Sequence, residues 1–355
     1  MFRALSLRST FSMTSRIQIH PEVEHALRHQ QPVVALESAV VTAGLPKESM
    51  PHLGIDFPGW ETTEPVHLAL ARLMQREVRQ AGAVPAIIAV IEGTLHIGLD
   101  DQQLVQLATA NDAGKVSTAA LAHTMATGAT AGTTVSATLV ACAMPQIIDE
   151  NMSPIRVFST GGIGGVHRNW TTHPDISADL AQLSRSPVCV VCAGAKSILD
   201  LPATLETLAA LGIPVLGYCT NFFAQFYCEG TQELPVTRRV ERETDIVRIC
   251  NMQWNKLRLP NGVLIANPVP AKYALNRNEL EEIIERAERE AYEQGMTGEA
   301  RTPYLLDQVR RQTGDRSLRA NLALLAANAR LGASIASAWS DACRQHGQTT
   351  SKKAP

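Results

Sequence analysis

Short, continuously apolar stretches recur along this chain, and most are followed by a polar or glycine-rich loop and then by a helical pattern. Stretches that are apolar throughout are typical of strands buried on both faces of a parallel sheet. Their alternation with helices predicts an α/β/α sandwich with a largely parallel, mixed central sheet. The strands are expected within PVVALES (32–38), VPAIIAVI (84–91), IRVFST (155–160), PVCVVCAGA (187–195), IPVLGY (213–218) and GVLIANPVP (262–270).

Helical periodicity fills the intervals between these stretches. Apolar residues recur at the spacing of one helix face, and glycine follows the first of these patterns at Gly82. We expect helices over residues 64–81, 196–212, 240–257, 278–294 and 302–343, the last with a break near Gly314.

Composition fits one large domain and argues against two kinds of partner. The chain has 355 residues, is 45% hydrophobic and carries a formal net charge of −2. No basic stripe offers a nucleic-acid surface, and no apolar run reaches the roughly 20 residues that span a bilayer. Because no repeat or low-complexity linker divides the chain, we expect a single domain over residues 17–345 and a disordered tail over 346–355.

The seven cysteines are scattered along the chain, which predicts reduced thiols in an intracellular protein. Cys189 and Cys192 form a C-x-x-C motif, but they lie in an expected strand. Residues three apart in a strand point to opposite faces, so this geometry argues against metal or redox chemistry at the pair.

The first residues, MFRALSLRSTFSMTSR, differ in kind from the rest. They are rich in arginine and serine and contain no acid before Glu22. This composition is typical of mitochondrial transit segments. Residues 1–16 therefore predict mitochondrial targeting, and the alternatives are a frayed N-terminus or translation from Met13 in a cytoplasmic protein.

Two residues, one within an expected strand and one just after another, carry groups suited to catalysis. A carboxylate in an apolar stretch, as at Glu37, gains a raised pKa from burial and suits a catalytic acid, although a structural ion pair is the alternative. Lys196 is expected at the start of a helix after a buried strand, where a free amine is favoured. A surface lysine is the alternative there.

Carboxylates and glycines mark three further candidate positions. If a helix begins near Asp175, then Asp175 and Asp179 share a face and can hold Mg²⁺ or Mn²⁺; otherwise Asp175 is an N-cap and Asp179 is solvated. GGIGGVHR (161–168) permits close backbone approach to a ligand but is not the dinucleotide fingerprint. GTTV (132–135) opens a helix that suits a phosphate, to which Lys115 adds charge.

Taken together, these segments resemble the pseudouridine-5′-phosphate glycosidase family. The resemblance extends from about residue 19 to residue 340, and the order and spacing of its central blocks are specific to that family. The matching segments are VVALES, GKVS, GATAGTTV, STGGIGGVHR, DISADL, VVCAGAKSILDL and LPNGVLIANPVP.

The resemblance implies a role for each matching residue. Glu37 corresponds to the family's proton donor, Lys196 to its nucleophilic lysine, and Asp175 to the ligand of a divalent metal, usually Mn²⁺, with a largely aqueous shell. Substrate contacts are implied at Lys115, the backbone of Val135, Ser177, Ala178 and Asp179, together with His167 in the active-site loop and Asn321 near it.

The same resemblance implies reversible cleavage of pseudouridine 5′-phosphate to uracil and ribose 5-phosphate through a lysine Schiff base. It also implies a homotrimer. Two departures affect the substrate loops: VTAG (41–44) lacks the family's frequent histidine, and KVSTAALA (115–122) lacks its usual Arg-Arg-Asp. Residues 47–61 resemble an insertion.

Two rival functions remain open at this level. One is a Schiff-base aldolase-like enzyme acting on another sugar phosphate, which would share Lys196 but need no uracil pocket. The other is a catalytically silent nucleotide-binding homologue, which only the missing Arg-Arg-Asp favours.

Overall fold

The computed structural model describes residues 16–53, 60, 63–172, 174–296 and 301–351. Within these ranges eleven strands form one mixed sheet. They are β1 (Ile17–Ile19), β2 (Val33–Leu36), β3 (Val84–Ile91), β4 (Thr94–Ile97), β5 (Gly114–Val116), β6 (Ala131–Thr133), β7 (Val157–Ser159), β8 (Cys189–Cys192), β9 (Val215–Tyr218), β10 (Arg238–Val240) and β11 (Val263–Ala266).

Helices flank this sheet. They are α1 (Pro21–Arg28), α2 (Val66–Gln80), α3 (Asp101–Thr109), α4 (Thr118–Ala126), α5 (Val135–Ile148), α6 (Ala178–Leu183), α7 (Leu201–Ala210), α8 (Glu243–Asn251), α9 (Arg277–Glu293), α10 (Arg301–Gln312) and α11 (Arg316–Ser351).

The strand order is β1-β4-β3-β2-β7-β8-β11-β9-β10, and β6 joins β5 to β3. Both β4 and β6 run antiparallel to β3, whereas the other neighbours are parallel. A single α/β domain with a mixed, largely parallel sheet is therefore confirmed. The apolar stretches that predicted it are explained by burial, because every residue of β2, β8 and β11 is buried.

Helix α11 lies across β2, β7 and β8 and packs along α2 and α8. Close approach depends on small residues. A Cβ placed on Gly332 would lie only 3.3 Å from the Cβ of Ser159, so a larger residue there would push the helix away from the sheet. The packing of α11 thus fixes the strand ends from which the cavity described below is built.

Two boundaries differ from those expected. The helix after β8 begins at Leu201 and not at Lys196, because Pro202 lacks an N–H and fits only the first helical turn. The side chain of Asp200 caps this helix by accepting from the Ala203 N–H. At the C-terminus, α11 continues to Ser351, six residues into the stretch expected to be a disordered tail.

Other expectations concern segments that the structure describes only in part. Residues 1–15 of the proposed transit segment lie outside the described residues, and so do residues 54–59 and 61 of the expected insertion over 47–61. Cys189 and Cys192 are free, buried thiols of β8, and burial raises the pKa of Cys192 to about 12. Across the described ranges, the helices are too short or too polar to cross a membrane.

Candidate active site

A cavity of about 310 Å³ opens where β2, β7 and β8 end, which is the usual ligand-binding edge of an open parallel sheet. Its volume suits a small molecule. The structure brings every site residue nominated from the sequence to this one cavity, although their individual roles stay predictions. These residues are Glu37, Lys115, Val135, His167, Asp175, Ser177, Ala178, Asp179, Lys196 and Asn321.

Glu37 directly follows β2 and is only 8% exposed. Burial raises the pKa of this carboxyl to about 7, and the nearby charge of Asp179 acts in the same direction. The positive charge of Lys196 and a hydrogen bond from Thr160 oppose the shift without cancelling it. A carboxyl that is half protonated near neutral pH can both donate and accept a proton there.

Lys196 lies in the loop after β8, five residues before α7 begins. Its backbone N–H donates to the carbonyl of Ile163 at 3.2 Å, which joins this loop to the glycine loop after β7. Gly194, with φ of +74°, makes the path possible, because a Cβ there would lie 1.8 Å from the carbonyl oxygen of Ala224. The lysine is therefore positioned by backbone contacts and not by a helix N-terminus, contrary to the sequence expectation.

Asp179 connects the start of α5 to the glycine-rich loop that follows β7. Its Oδ1 accepts from the Ser136 N–H at the start of α5, and its Oδ2 accepts from the Gly164 N–H, both at 2.9 Å. Ser177 caps α6 by accepting from the Asp179 N–H at 3.2 Å. With both carboxylate oxygens used by backbone donors, Asp179 shapes the cavity wall and is ill suited to bind a cation.

Asp175 precedes α6 and lies in an irregular segment, so the expectation that Asp175 and Asp179 share a helix face is wrong. The helix begins later because Ser177, not Asp175, supplies the N-cap. The carboxylate of Asp175 lies 3.9 Å from His167 Nε2. Burial lowers the pKa of His167, and its buried Nδ1 has no hydrogen-bond partner among the described residues.

One wall of the cavity is built from the starts of three helices. Ser117, Thr134 and Ser177 are the N-cap residues of α4, α5 and α6, and all three line the cavity. Neither Ser117 nor Thr134 uses its side chain to cap its own helix. Helix starts carry positive dipole ends, and Lys115 lies beside them, although Asp179 Oδ1 already accepts from the Ser136 N–H and the Ser177 hydroxyl from the Asp179 N–H. This wall suits an anionic group.

The described residues of the cavity offer few ligands for a divalent cation. The described residues contain no group of three histidine, cysteine or acidic side chains that could hold a metal ion. Asp175 is a single carboxylate whose side chain is 36% exposed to the cavity. One carboxylate with a shell otherwise made of water is compatible with a hard cation such as Mg²⁺ or Mn²⁺.

Sequence reasoning missed several residues of the site. Thr160 contacts Glu37, and Phe226, with φ of +61°, packs its ring against Gly162 at the cavity wall. Thr302, Pro303 and Leu306 bring α10 to the opening. A polar residue at the end of an apolar strand could have signalled Thr160. Helix α10 is far in the sequence from the strands that end at the cavity, so no local sequence pattern predicted its contribution.

Comparison with known proteins identifies the family to which the chain belongs. The family profile described as "Indigoidine synthase A like protein" matches residues 59–338. A pseudouridine-5′-phosphate glycosidase of Caldanaerobacter subterraneus subsp. tengcongensis is 43% identical over 91% of this chain and 97% of its own length. The Staphylococcus aureus protein of that name is 40% identical over 90% of this chain and 95% of its own length.

Two solved structures share the fold at comparable length. The prealnumycin C-glycosynthase AlnA in complex with ribulose 5-phosphate has a TM-score of 0.79 and 31% identity, covering 93% of this chain and 98% of its own. An indigoidine synthase A-like protein from Thermotoga maritima has a TM-score of 0.75 and 30% identity, covering 91% and 96%. By sequence and fold, the chain belongs to the pseudouridine-5′-phosphate glycosidase family of indigoidine synthase A-like proteins.

Proposed function

We propose that this protein reversibly cleaves pseudouridine 5′-phosphate to uracil and ribose 5-phosphate, with Lys196 as covalent nucleophile and Glu37 as proton donor. One observation carries the proposal: an amine and a buried carboxyl with a pKa of about 7 face the same small-molecule cavity. Relatives similar over nearly the whole chain have the name of this activity.

The carbon–carbon link in this substrate explains why an amine is needed. Ribose C1′ is bonded to C5 of uracil, so no glycosidic nitrogen can leave. Chemistry with two carboxylates and an oxocarbenium ion therefore lacks a good leaving atom. A lysine that bonds to C1′ provides a different route, because an imine can form as the carbon–carbon bond breaks.

The residues present can accomplish each step. Electrons from the uracil ring expel the ribose ring oxygen, and Glu37 gives that oxygen its proton as the C1′–O4′ bond breaks. The Glu37 carboxylate left by this step takes a proton from the Lys196 ammonium, and the resulting amine bonds to C1′ as the C5=C1′ double bond formed by ring opening returns its electrons to the uracil ring. The nitrogen lone pair forms the imine as the C1′–C5 bond breaks, and uracil C5 takes up a proton. Water finally hydrolyses the imine, which frees ribose 5-phosphate and restores Lys196.

The 5′-phosphate is assigned to the wall formed by the starts of α4, α5 and α6. Replacing Lys115 by alanine is expected to raise the KM for the phosphorylated substrate by about tenfold or more, because a hydrogen bond to a charged group is worth about 1.5–3 kcal/mol. Steady-state kinetics with pseudouridine and its 5′-phosphate check this. An equal loss for both substrates would show that Lys115 does not bind the phosphate.

Asp175 is proposed to hold Mn²⁺ with water completing the shell. When bound, the ion would supply positive charge that orients the uracil end of the substrate. Calorimetric titration of Mn²⁺ into Asp175→Asn should show affinity more than about tenfold weaker than in the unmodified protein. Asp245→Asn is the matched control, since Asp245 pairs with arginines outside the cavity. Unchanged binding in Asp175→Asn would remove this residue from the metal site.

Assembly and location extend the proposal beyond the single chain. We propose a homotrimer because the family resemblance implies one, and sedimentation equilibrium tests it. The acid-poor N-terminus remains the basis for proposing mitochondrial import, which a fusion of residues 1–16 to a fluorescent protein would test.

The decisive test of function is synthesis. Incubation with ribose 5-phosphate, uracil and Mn²⁺ should yield pseudouridine 5′-phosphate, identified by mass spectrometry and by its resistance to acid hydrolysis. Consumption of ribose 5-phosphate that does not depend on uracil would favour an aldolase-like enzyme. Binding without turnover would favour a catalytically silent homologue.

A further inference from the structure

The hydroxyl of Thr160 lies at the end of β7, between the strands that lead to Glu37 and to Lys196. Strands β2, β7 and β8 are successive neighbours in the sheet. Thr160 Oγ1 donates a hydrogen bond to Glu37 Oε1. Thr160 is fully buried and Glu37 is nearly so, so water has little access to this contact.

The position of Thr160 is itself fixed from two sides. Its N–H donates to the carbonyl of Val191 in β8 at 3.0 Å. Its carbonyl accepts from Nδ2 of Asn328 in α11 at 2.8 Å. The side chain of Asn328 is fully buried, and its Oδ1 accepts from Asn267 Nδ2 at 2.8 Å. A buried amide with both ends satisfied holds a rigid backbone position.

We propose that Thr160 is a positioning residue that reserves Oε1 of Glu37 as an acceptor, so that Oε2 carries the proton delivered in catalysis. The inference rests on the proposed role of Glu37 as proton donor. A threonine hydroxyl has one proton to donate, and a protonated carboxyl has one donor oxygen and one acceptor oxygen. Since Thr160 donates to Oε1, that oxygen acts as the acceptor and the proton resides on Oε2.

The groups around Glu37 also influence its pKa. The charged groups acting on it in the described structure are Lys196, from the loop after β8, and Asp179, from α6. These two act in opposite directions on the pKa of Glu37, and burial is the largest influence. Thr160 is then the neutral group that both orients the carboxyl and keeps its pKa from rising further.

Thr160→Val removes the hydroxyl at nearly constant volume, and Thr160→Ser retains it. In Thr160→Val the alkaline limb of the kcat/KM profile should move up by about one pH unit, since a hydrogen bond to a charged group is worth at least that much. The value of kcat should fall about tenfold while KM changes little. Thr160→Ser should restore both properties.

Infrared spectroscopy tests the same contact without substrate. The C=O stretch of protonated Glu37, assigned by its absence in Glu37→Gln, should move to higher wavenumber in Thr160→Val and remain in place in Thr160→Ser. Thr138→Val is the control for loss of a buried threonine hydroxyl, because in the described structure the hydroxyl of Thr138 donates to the hydroxyl of Thr133 and not to Glu37. That variant should keep the band and the pH profile of the unmodified protein.

The outcomes separate the inference from the proposed function. An unshifted C=O band in folded Thr160→Val, or a serine variant that behaves like the valine variant, would overturn the role of Thr160. A shifted band in a protein that makes no pseudouridine 5′-phosphate would instead overturn the reaction and leave the Thr160–Glu37 contact established.

Discussion

Replacing Lys196 by alanine is expected to abolish the pentose-phosphate adduct that cyanoborohydride traps, and to lower kcat by roughly 10³-fold or more, as removal of a covalent nucleophile does. The physical reason is that carbon–carbon cleavage requires the nitrogen lone pair at C1′. Incubation with ribose 5-phosphate and Mn²⁺, reduction and peptide mapping by mass spectrometry measure the adduct.

The cavity itself provides a matched control. Two lysines line it in the described structure, Lys196 in the loop after β8 and Lys115 at the wall of helix starts. Lys115→Ala should therefore retain an adduct at Lys196, provided that ribose 5-phosphate is supplied at a concentration that offsets weaker binding. Lys196→Arg preserves a positive charge but offers no free amine, so it should behave like alanine.

Three results would argue against this chemistry. Mapping of the adduct to Lys115 would move the nucleophile to the phosphate wall. Full activity of Lys196→Arg would show that only charge is required. Absence of an adduct in the folded, metal-loaded protein would remove the covalent mechanism and favour a silent binding homologue.

The strand ends that carry the chemistry could be predicted from the sequence because burial on both faces leaves a continuous apolar stretch. A carboxylate such as Glu37 at the end of such a stretch stands out for the same reason. Its partner could not be predicted in the same way. The contact with Thr160 depends on β2 and β7 becoming neighbours, although 123 positions separate the two residues in the chain.

Asp175 and Asp179 are a case in which sequence spacing predicted the wrong geometry. Their spacing of four suggested a shared helix face, but spacing carries no information about which backbone N–H groups a carboxylate meets after folding. Asp179 accepts from Ser136 and Gly164, both supplied by other segments, and Ser177 shortens the helix by capping it. The family resemblance implied that all the nominated residues lie near one another. Only the structure showed that Asp179 binds backbone N–H groups while Asp175 remains partly exposed.

Replacing Glu37 by glutamine is expected to lower kcat by about 10²–10⁴-fold, because the proton donor is lost while the shape of the side chain is preserved. The amide oxygen can still accept from Thr160. In the unmodified protein, activity that needs protonated Glu37 should fall as the pH rises through about 7, the value to which burial raises its pKa. Steady-state pH profiles check both expectations.

The same substitution should increase stability at alkaline pH. The folded pKa of Glu37 lies above its unfolded value, so between about pH 4.5 and pH 7 the native state holds a proton that the unfolded chain has lost. Stability of the unmodified protein therefore falls over that range, and the loss is complete above pH 7. Each pKa unit corresponds to about 1.4 kcal/mol, so the total is about 3 kcal/mol.

Urea denaturation near pH 5 and near pH 8 measures this difference, since the unfolding free energy of Glu37→Gln relative to the unmodified protein should rise by about 2–3 kcal/mol between the two. Glu37→Gln has no titrating group at this position, and all other ionisations are common to both proteins. A constant difference would mean that Glu37 is ionised in the folded protein at both pH values. It could not then donate a proton near neutrality, and the acid in the proposed reaction would have to be a different residue.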